Sequence, residues 1–183
     1  MKRILLMFVV ATVLLAVRSS AITIPLDLLG GSADGGEETP PNASTGLGVE
    51  FGGGITYDDV ANELRIKVKV ENGANDLLGD TTAAHIHKAA IGVAGPVVFP
   101  LVLSPLGQDH ATINDTLVLT AAQEADLLAG LYYVNIHTTL YSGGEIRGQI
   151  VGATGAVPDA GSTCLLLGTA FLTLFGLRRR IQL

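Results

Sequence analysis

The sequence predicts an all-β fold, an antiparallel β-sandwich carrying one short helix. Three observations lead there. In ELRIKVKV, Leu64, Ile66, Val68 and Val70 alternate with Glu63, Arg65, Lys67 and Lys69, the period of a strand with one buried and one wet face. Short segments suited to strands recur near 47–57, 83–90, 97–103, 112–119, 131–138 and 145–151, separated by glycine-containing turns. Only one stretch carries helix punctuation, whereas a parallel α/β sheet needs a helix between most strands.

Taken in order, the chain opens MKRILLMFVVATVLLAVRSSA: basic Lys2 and Arg3, an apolar run from Ile4 to Val17, then small residues to Ala21. That order predicts a secretory signal peptide over residues 1–21, its apolar run being shorter than a bilayer span. Residues 22–45, rich in Gly, Pro, Ser and acid, read as a flexible acidic linker. Residues 46–151 hold the predicted sandwich. Within it Gly52, Gly53 and Gly54 predict a bulge or bend in the first strand. Thr120 with Gln123 three residues on has the spacing of a capping box, and Gly130 closes that helix.

Residues 152–183 form a linker and an apolar tail. Its run from Cys164 to Leu177 is followed by Arg178, Arg179 and Arg180, a basic cluster expected to stay on the cytoplasmic side and leave the body of the chain outside. Terminal apolar helices are therefore expected at both ends, the second anchoring the chain in a membrane.

Composition narrows the function. Between residues 22 and 157 there are five basic residues against sixteen carboxylates, a net charge of −11, which argues against nucleic acid as a partner. The single cysteine, Cys164, lies in the tail, so the body has neither a disulfide nor a thiolate nucleophile or ligand. No nucleophile elbow, phosphate-cradling loop or carboxylate pair is evident, and no catalytic residue is assigned.

Histidine is scarce, with four in the chain, yet two stand one residue apart in AAHIHKAA. Residues two apart on a strand share a face with Cα atoms roughly 7 Å apart, so His85 and His87 can converge on one ion. His137 in YYVNIHT lies on the side of its strand shared with Tyr133 and Asn135 and is the candidate third ligand. His110, in a loop, is a weaker one. Three imidazoles suit copper or zinc rather than calcium or magnesium, and no other cofactor is suggested. A backbone carbonyl or Glu145 is the candidate partner for a far ring nitrogen, and Arg147 a candidate to attract a small anion. The competing reading makes the histidines structural, hydrogen-bonded to backbone or carboxylates.

Two resemblances follow from these residues. AAHIHKAAIGVAGPVVFPL with LTAAQEADLLAGLYYVNIHTTLYSGGEIRGQI resembles the CHRD domain, named for chordin, over about 46–151, with Lys88 where many members carry Gly. The resemblance implies an extracellular β-sandwich of Greek-key type, related in architecture to immunoglobulin and superoxide dismutase domains. VPDAGST, from Val157 through Pro158, Asp159, Gly161 and Ser162 to Thr163, resembles the VPDSG variant of the PEP-CTERM sorting tail, with Ala160 in place of Ser. This implies processing by an exosortase-type protease and delivery to the cell surface, outer envelope or extracellular matrix. A looser likeness of pattern links His85, His87, His137, Gly143, Gly144 and Arg147 to copper-zinc superoxide dismutases, although the histidine-rich zinc loop and the disulfide of that family are missing.

Two functions are thus expected. One is a non-enzymatic, exported binding or structural module whose ligand is an extracellular protein or polysaccharide. The other is a three-histidine copper or zinc metalloprotein with redox activity of the superoxide dismutase kind.

Overall fold

A computed structural model describes residues 21–71, 73 and 75–153. The expected terminal helices, the signal peptide up to residue 20 and the sorting residues from Val157 onward lie outside them. Among the described residues no helix is long and apolar enough to cross a membrane.

The protein is built of antiparallel strands. They are β1 (Thr23–Leu28), β2 (Ala33–Asp34), β3 (Leu47–Glu50), β4 (Ile55–Asp58), β5 (Glu63–Val70), β6 (Thr81–Lys88), β7 (Val97–Leu101), β8 (Leu103–Ser104), β9 (Ala111–Val118), β10 (Tyr132–Thr138) and β11 (Ile146–Gly152), with α1 (Ala121–Leu128) between β9 and β10. On one side β5 pairs along its whole length with β9, and its other edge takes β4 at one end and β3 at the other. On the second side the order is β7–β6–β10–β11, and the free edge of β11 takes β2 and β1. Pairing of β2 with β3 and of β1 with β4 joins the two sides along one edge.

The core lies between them. Leu64, Ile66, Val68 and Val70 of β5 and Ile113 of β9 face Ile86 of β6, Val134 and Ile136 of β10, and Ile146 and Ile150 of β11. Fully burying one such side chain stabilises by about 1.5–3 kcal/mol, so this layer fixes strand register, since a one-residue slip would turn every apolar group outward. The helix begins as its sequence predicts, with the Thr120 amide donating to Gln123 Oε1 at 2.9 Å and the Gln123 amide to Thr120 Oγ1.

Two expectations are corrected. The span 47–57 is two strands rather than one bent strand, because Gly52, Gly53 and Gly54 all take positive φ and turn the chain between β3 and β4. Residues 22–45 are folded rather than a flexible linker. β1 completes the second sheet, and the segment from Gly35 to Ser44 straps over the outer face of β10 and β11. Few of these residues carry apolar groups, and polar bonds hold them instead. Asp34 Oδ1 accepts from the amides of Gly36 and Glu37, Asn42 Nδ2 donates to the Glu145 carbonyl at 2.9 Å, and Ser44 Oγ donates to the Glu145 carboxylate at 2.6 Å.

Candidate metal centre

Because strand residues alternate, the odd-numbered positions of β6, β10 and β11 share the outer face of the second sheet. Pairing sets them in rows: His87 opposite Tyr133 and Tyr133 opposite Gln149, then His85 opposite Asn135 and Asn135 opposite Arg147. His137 pairs with Ala83 and so lies diagonal to His85, at the place where the β6–β10 register shifts. Such irregularities re-aim side chains, and the two neighbouring strands together bring three imidazoles into one group.

Ring centroids are 4.9 Å apart for His85 and His137, 5.6 Å for His85 and His87, and 5.7 Å for His87 and His137. One nitrogen from each ring lies within 4.8 Å of the others, and among the described residues no carboxylate oxygen joins them. His87 is 8% exposed, while His85 and His137 are half-buried.

Backbone carbonyls orient two of the rings. A carbonyl can only accept, so His87 Nδ1–H donates to the Gly95 carbonyl at 2.8 Å and His137 Nδ1–H donates to the Ser142 carbonyl at 3.0 Å. Each Nε2 is then left with its lone pair free in the neutral ring. Those two Nε2 atoms and His85 Nδ1 are buried and have no hydrogen-bond partner. Burial holds the pKa values of His85 and His137 below the usual imidazole range, and neighbouring histidines push the same way against the Ser142 bond at His137. Neutral rings with unshared lone pairs are the form in which imidazole ligates a metal.

The structure gives the other sequence-predicted residues different surroundings. His110 pairs with Asp109 at 2.8 Å and does not join the group. Glu145 is fully buried and its carboxylate accepts from Ser44 Oγ, Thr138 Oγ1 and the amides of Leu78 and Gly79, not from a ring nitrogen. Of the two kinds of partner expected for the far ring nitrogens, backbone carbonyls take the role and Glu145 does not. Arg147 is not turned toward an approaching anion either. It is 2% exposed, its terminal nitrogens donate to four neutral oxygens, and its guanidinium lies 3.5 Å from the centre of the Tyr133 ring.

Sequence reasoning passed over the loop between β6 and β7. Gly95 must be glycine, since a Cβ there would stand 1.9 Å from the Lys88 carbonyl oxygen, and that close approach brings its own carbonyl to His87.

Fold and site together define a β-sandwich with a polar, histidine-bearing outer face. The CHRD domain matches residues 31–150, and the chain belongs to that family. The VPDSG-CTERM motif matches residues 156–181, a sorting signal of the kind exosortases process, and the pair fits an exported, surface-directed protein. No curated protein and no solved structure matches the chain.

Proposed function

We propose that the protein is an exported surface module that binds one copper or zinc ion through His85, His87 and His137, acting by binding rather than by catalysis. The observation that carries this is the trio of buried ring nitrogens, His85 Nδ1, His87 Nε2 and His137 Nε2, which have no hydrogen-bond partner, on three rings that each bring one nitrogen within 4.8 Å of the others. A buried polar atom left unpaired costs about 1–3 kcal/mol, and three in one place call for a shared partner. An ion at their centre would bond each nitrogen at about 2.0–2.1 Å. The structural-histidine reading accounts for the two Nδ1 bonds but leaves these three atoms unexplained.

Export would begin with the signal peptide, and an exosortase-type protease would remove the membrane-held tail and release the body to the surface or matrix. An extracellular protein or polysaccharide could then meet the module there.

Metal analysis and competition titration of the full-length protein test the binding. The expected result is one equivalent per chain in the wild type, a loss of at least tenfold in affinity in His87→Ala and His137→Ala, and wild-type affinity in His110→Ala. Wild-type protein that takes up neither metal above background would refute the proposal, and so would equal losses in all three variants.

A further inference from the structure

Arg147 presents an anomaly. It heads the largest fully buried side chains, and although Glu37 and Glu38 are near enough to interact with it electrostatically, among the described residues no carboxylate pairs with it directly. Its Nη1 donates to the Val93 carbonyl at 2.8 Å and to Thr39 Oγ1 at 3.4 Å, and its Nη2 to the Ala90 carbonyl at 3.2 Å and to Gln149 Oε1 at 2.9 Å. Two of those acceptors belong to the loop that carries Gly95.

We infer that Arg147 is a positioning residue for His87. Two routes connect them. Along the first, the guanidinium fork holds the carbonyls of Ala90 and Val93 and thereby fixes the loop whose Gly95 carbonyl receives His87 Nδ1–H. Along the second, the guanidinium covers the Tyr133 ring, which stacks on His87 with centroids 5.1 Å apart and planes 15° from parallel. The routes meet at Gly95, whose amide donates to the Tyr133 hydroxyl at 3.0 Å. A planar guanidinium can serve two loop carbonyls and a ring face at once, whereas a lysine ammonium has one point charge and no planar fork. The ring tautomer and tilt of His87 are thus set from behind by a residue that touches no ligand nitrogen. Partners of this outer kind commonly change metal affinity by about 10–100-fold.

The test uses the full-length protein in detergent micelles with its histidine rings labelled with nitrogen-15. Only its affinity arm rests on the metal-binding reading. In the metal-free wild type His87 should appear as the Nδ1–H form with a slowly exchanging proton. Arg147→Lys should mix the tautomers, speed that exchange and lower copper or zinc affinity by about tenfold or more. Val134→Ala, on the inner face of the same sheet, serves as the control for general destabilisation and should change neither signal by much. If Arg147→Lys does not fold, Tyr133→Phe keeps the stacked ring but deletes the hydroxyl that Gly95 uses, and it should show the same tautomer mixing. A His87 signal unchanged in the folded variant, or, where the wild type binds metal, an affinity loss no greater than the control's, would overturn the inference. A wild type that binds no metal while the tautomer still shifts would sink the binding reading and leave the positioning role standing.

Discussion

Replacing Glu145 with alanine should cost the fold roughly 4–6 kcal/mol, and the structure shows how the figure arises. The fully buried carboxylate accepts from the Leu78 amide at 2.5 Å, Ser44 Oγ at 2.6 Å, Thr138 Oγ1 at 2.7 Å and the Gly79 amide at 3.2 Å. The two hydroxyls can turn to other acceptors, but the two amides are fixed by the backbone. Each amide left unpaired costs about 1–3 kcal/mol, and the lost bonds to a charged acceptor and the vacated volume add to that. Glu145→Gln retains one carbonyl oxygen and the shape, so it should lose about half as much. Because Oε1 serves Ser44 and Leu78 while Oε2 serves Gly79 and Thr138, neither orientation of the amide satisfies all four donors. Urea denaturation of a fragment covering residues 21–153, followed by circular dichroism, measures both. A loss under about 1 kcal/mol for alanine, or equal losses for the two variants, would refute the acceptor accounting. Neither ring nitrogen of His137 bonds to Glu145, so Glu145→Gln should change metal affinity less than about threefold, against about 10–100-fold for a true outer partner.

Two further predictions concern pH and export. Burial, the largest cause, raises the Glu38 pKa from 4.5 to about 7. A carboxyl whose pKa is higher folded than unfolded stabilises the fold fully below about pH 4.5 and loses that contribution as pH rises through about 7, up to about 3 kcal/mol. Glu37 and Glu50 are raised in the same direction, so the measurement is the difference between wild type and Glu38→Gln in denaturation at pH 5 and pH 8. The difference should grow toward pH 8 in favour of the glutamine variant, and a pH-independent difference would count against it. For the tail, replacing Pro158 and Asp159 should leave the precursor in the membrane fraction of a host that has the processing protease. Wild-type protein that keeps residues 163–183 in such a host would contradict exosortase processing.

How much was legible in the sequence depended on what holds each part. β5 was legible because a half-buried strand writes its facing into period two, and Leu64 through Val70 do so without a break. His85 and His87 were legible for the same reason, as was the side of β10 that carries His137. The strap from Gly35 to Ser44 was not, because it is held by Asp34, Asn42 and Ser44 bonding to backbone and to Glu145, and such bonds leave no periodicity. Arg147 was misread for a related reason. An arginine on the alternate face of a strand looks solvent-exposed until one knows that another segment covers that face, and the covering strap was itself taken for a linker. A backbone carbonyl was expected as a partner for a far ring nitrogen, but which ones serve His87 and His137 depends on the path of the loops that carry Gly95 and Ser142, which side-chain types do not encode.

The covered face also bears on why the histidines are there. A sheet whose outer side is closed by a strap and a loop could be stabilised more simply by apolar residues, since polar and ionic groups in such a layer gain little over well-packed hydrophobic ones. Here the chain instead places His87, Asn135, Arg147 and Gln149 under the cover, with His85 and His137 half-buried beside them. It leaves Asn135 Oδ1 and Glu38 Oε1 without partners beside the three orphaned ring nitrogens. Gly144 makes that crowding feasible, since a Cβ there would stand 2.4 Å from Asn135 Oδ1 and 2.5 Å from Glu38 Oε1. Departures from economical packing concentrate where a protein does something other than fold, and in this molecule they concentrate on one face of one sheet. The inner face, apart from the unpartnered Tyr132 hydroxyl, is apolar packing, and selection for stability accounts for it. It does not account for the outer one.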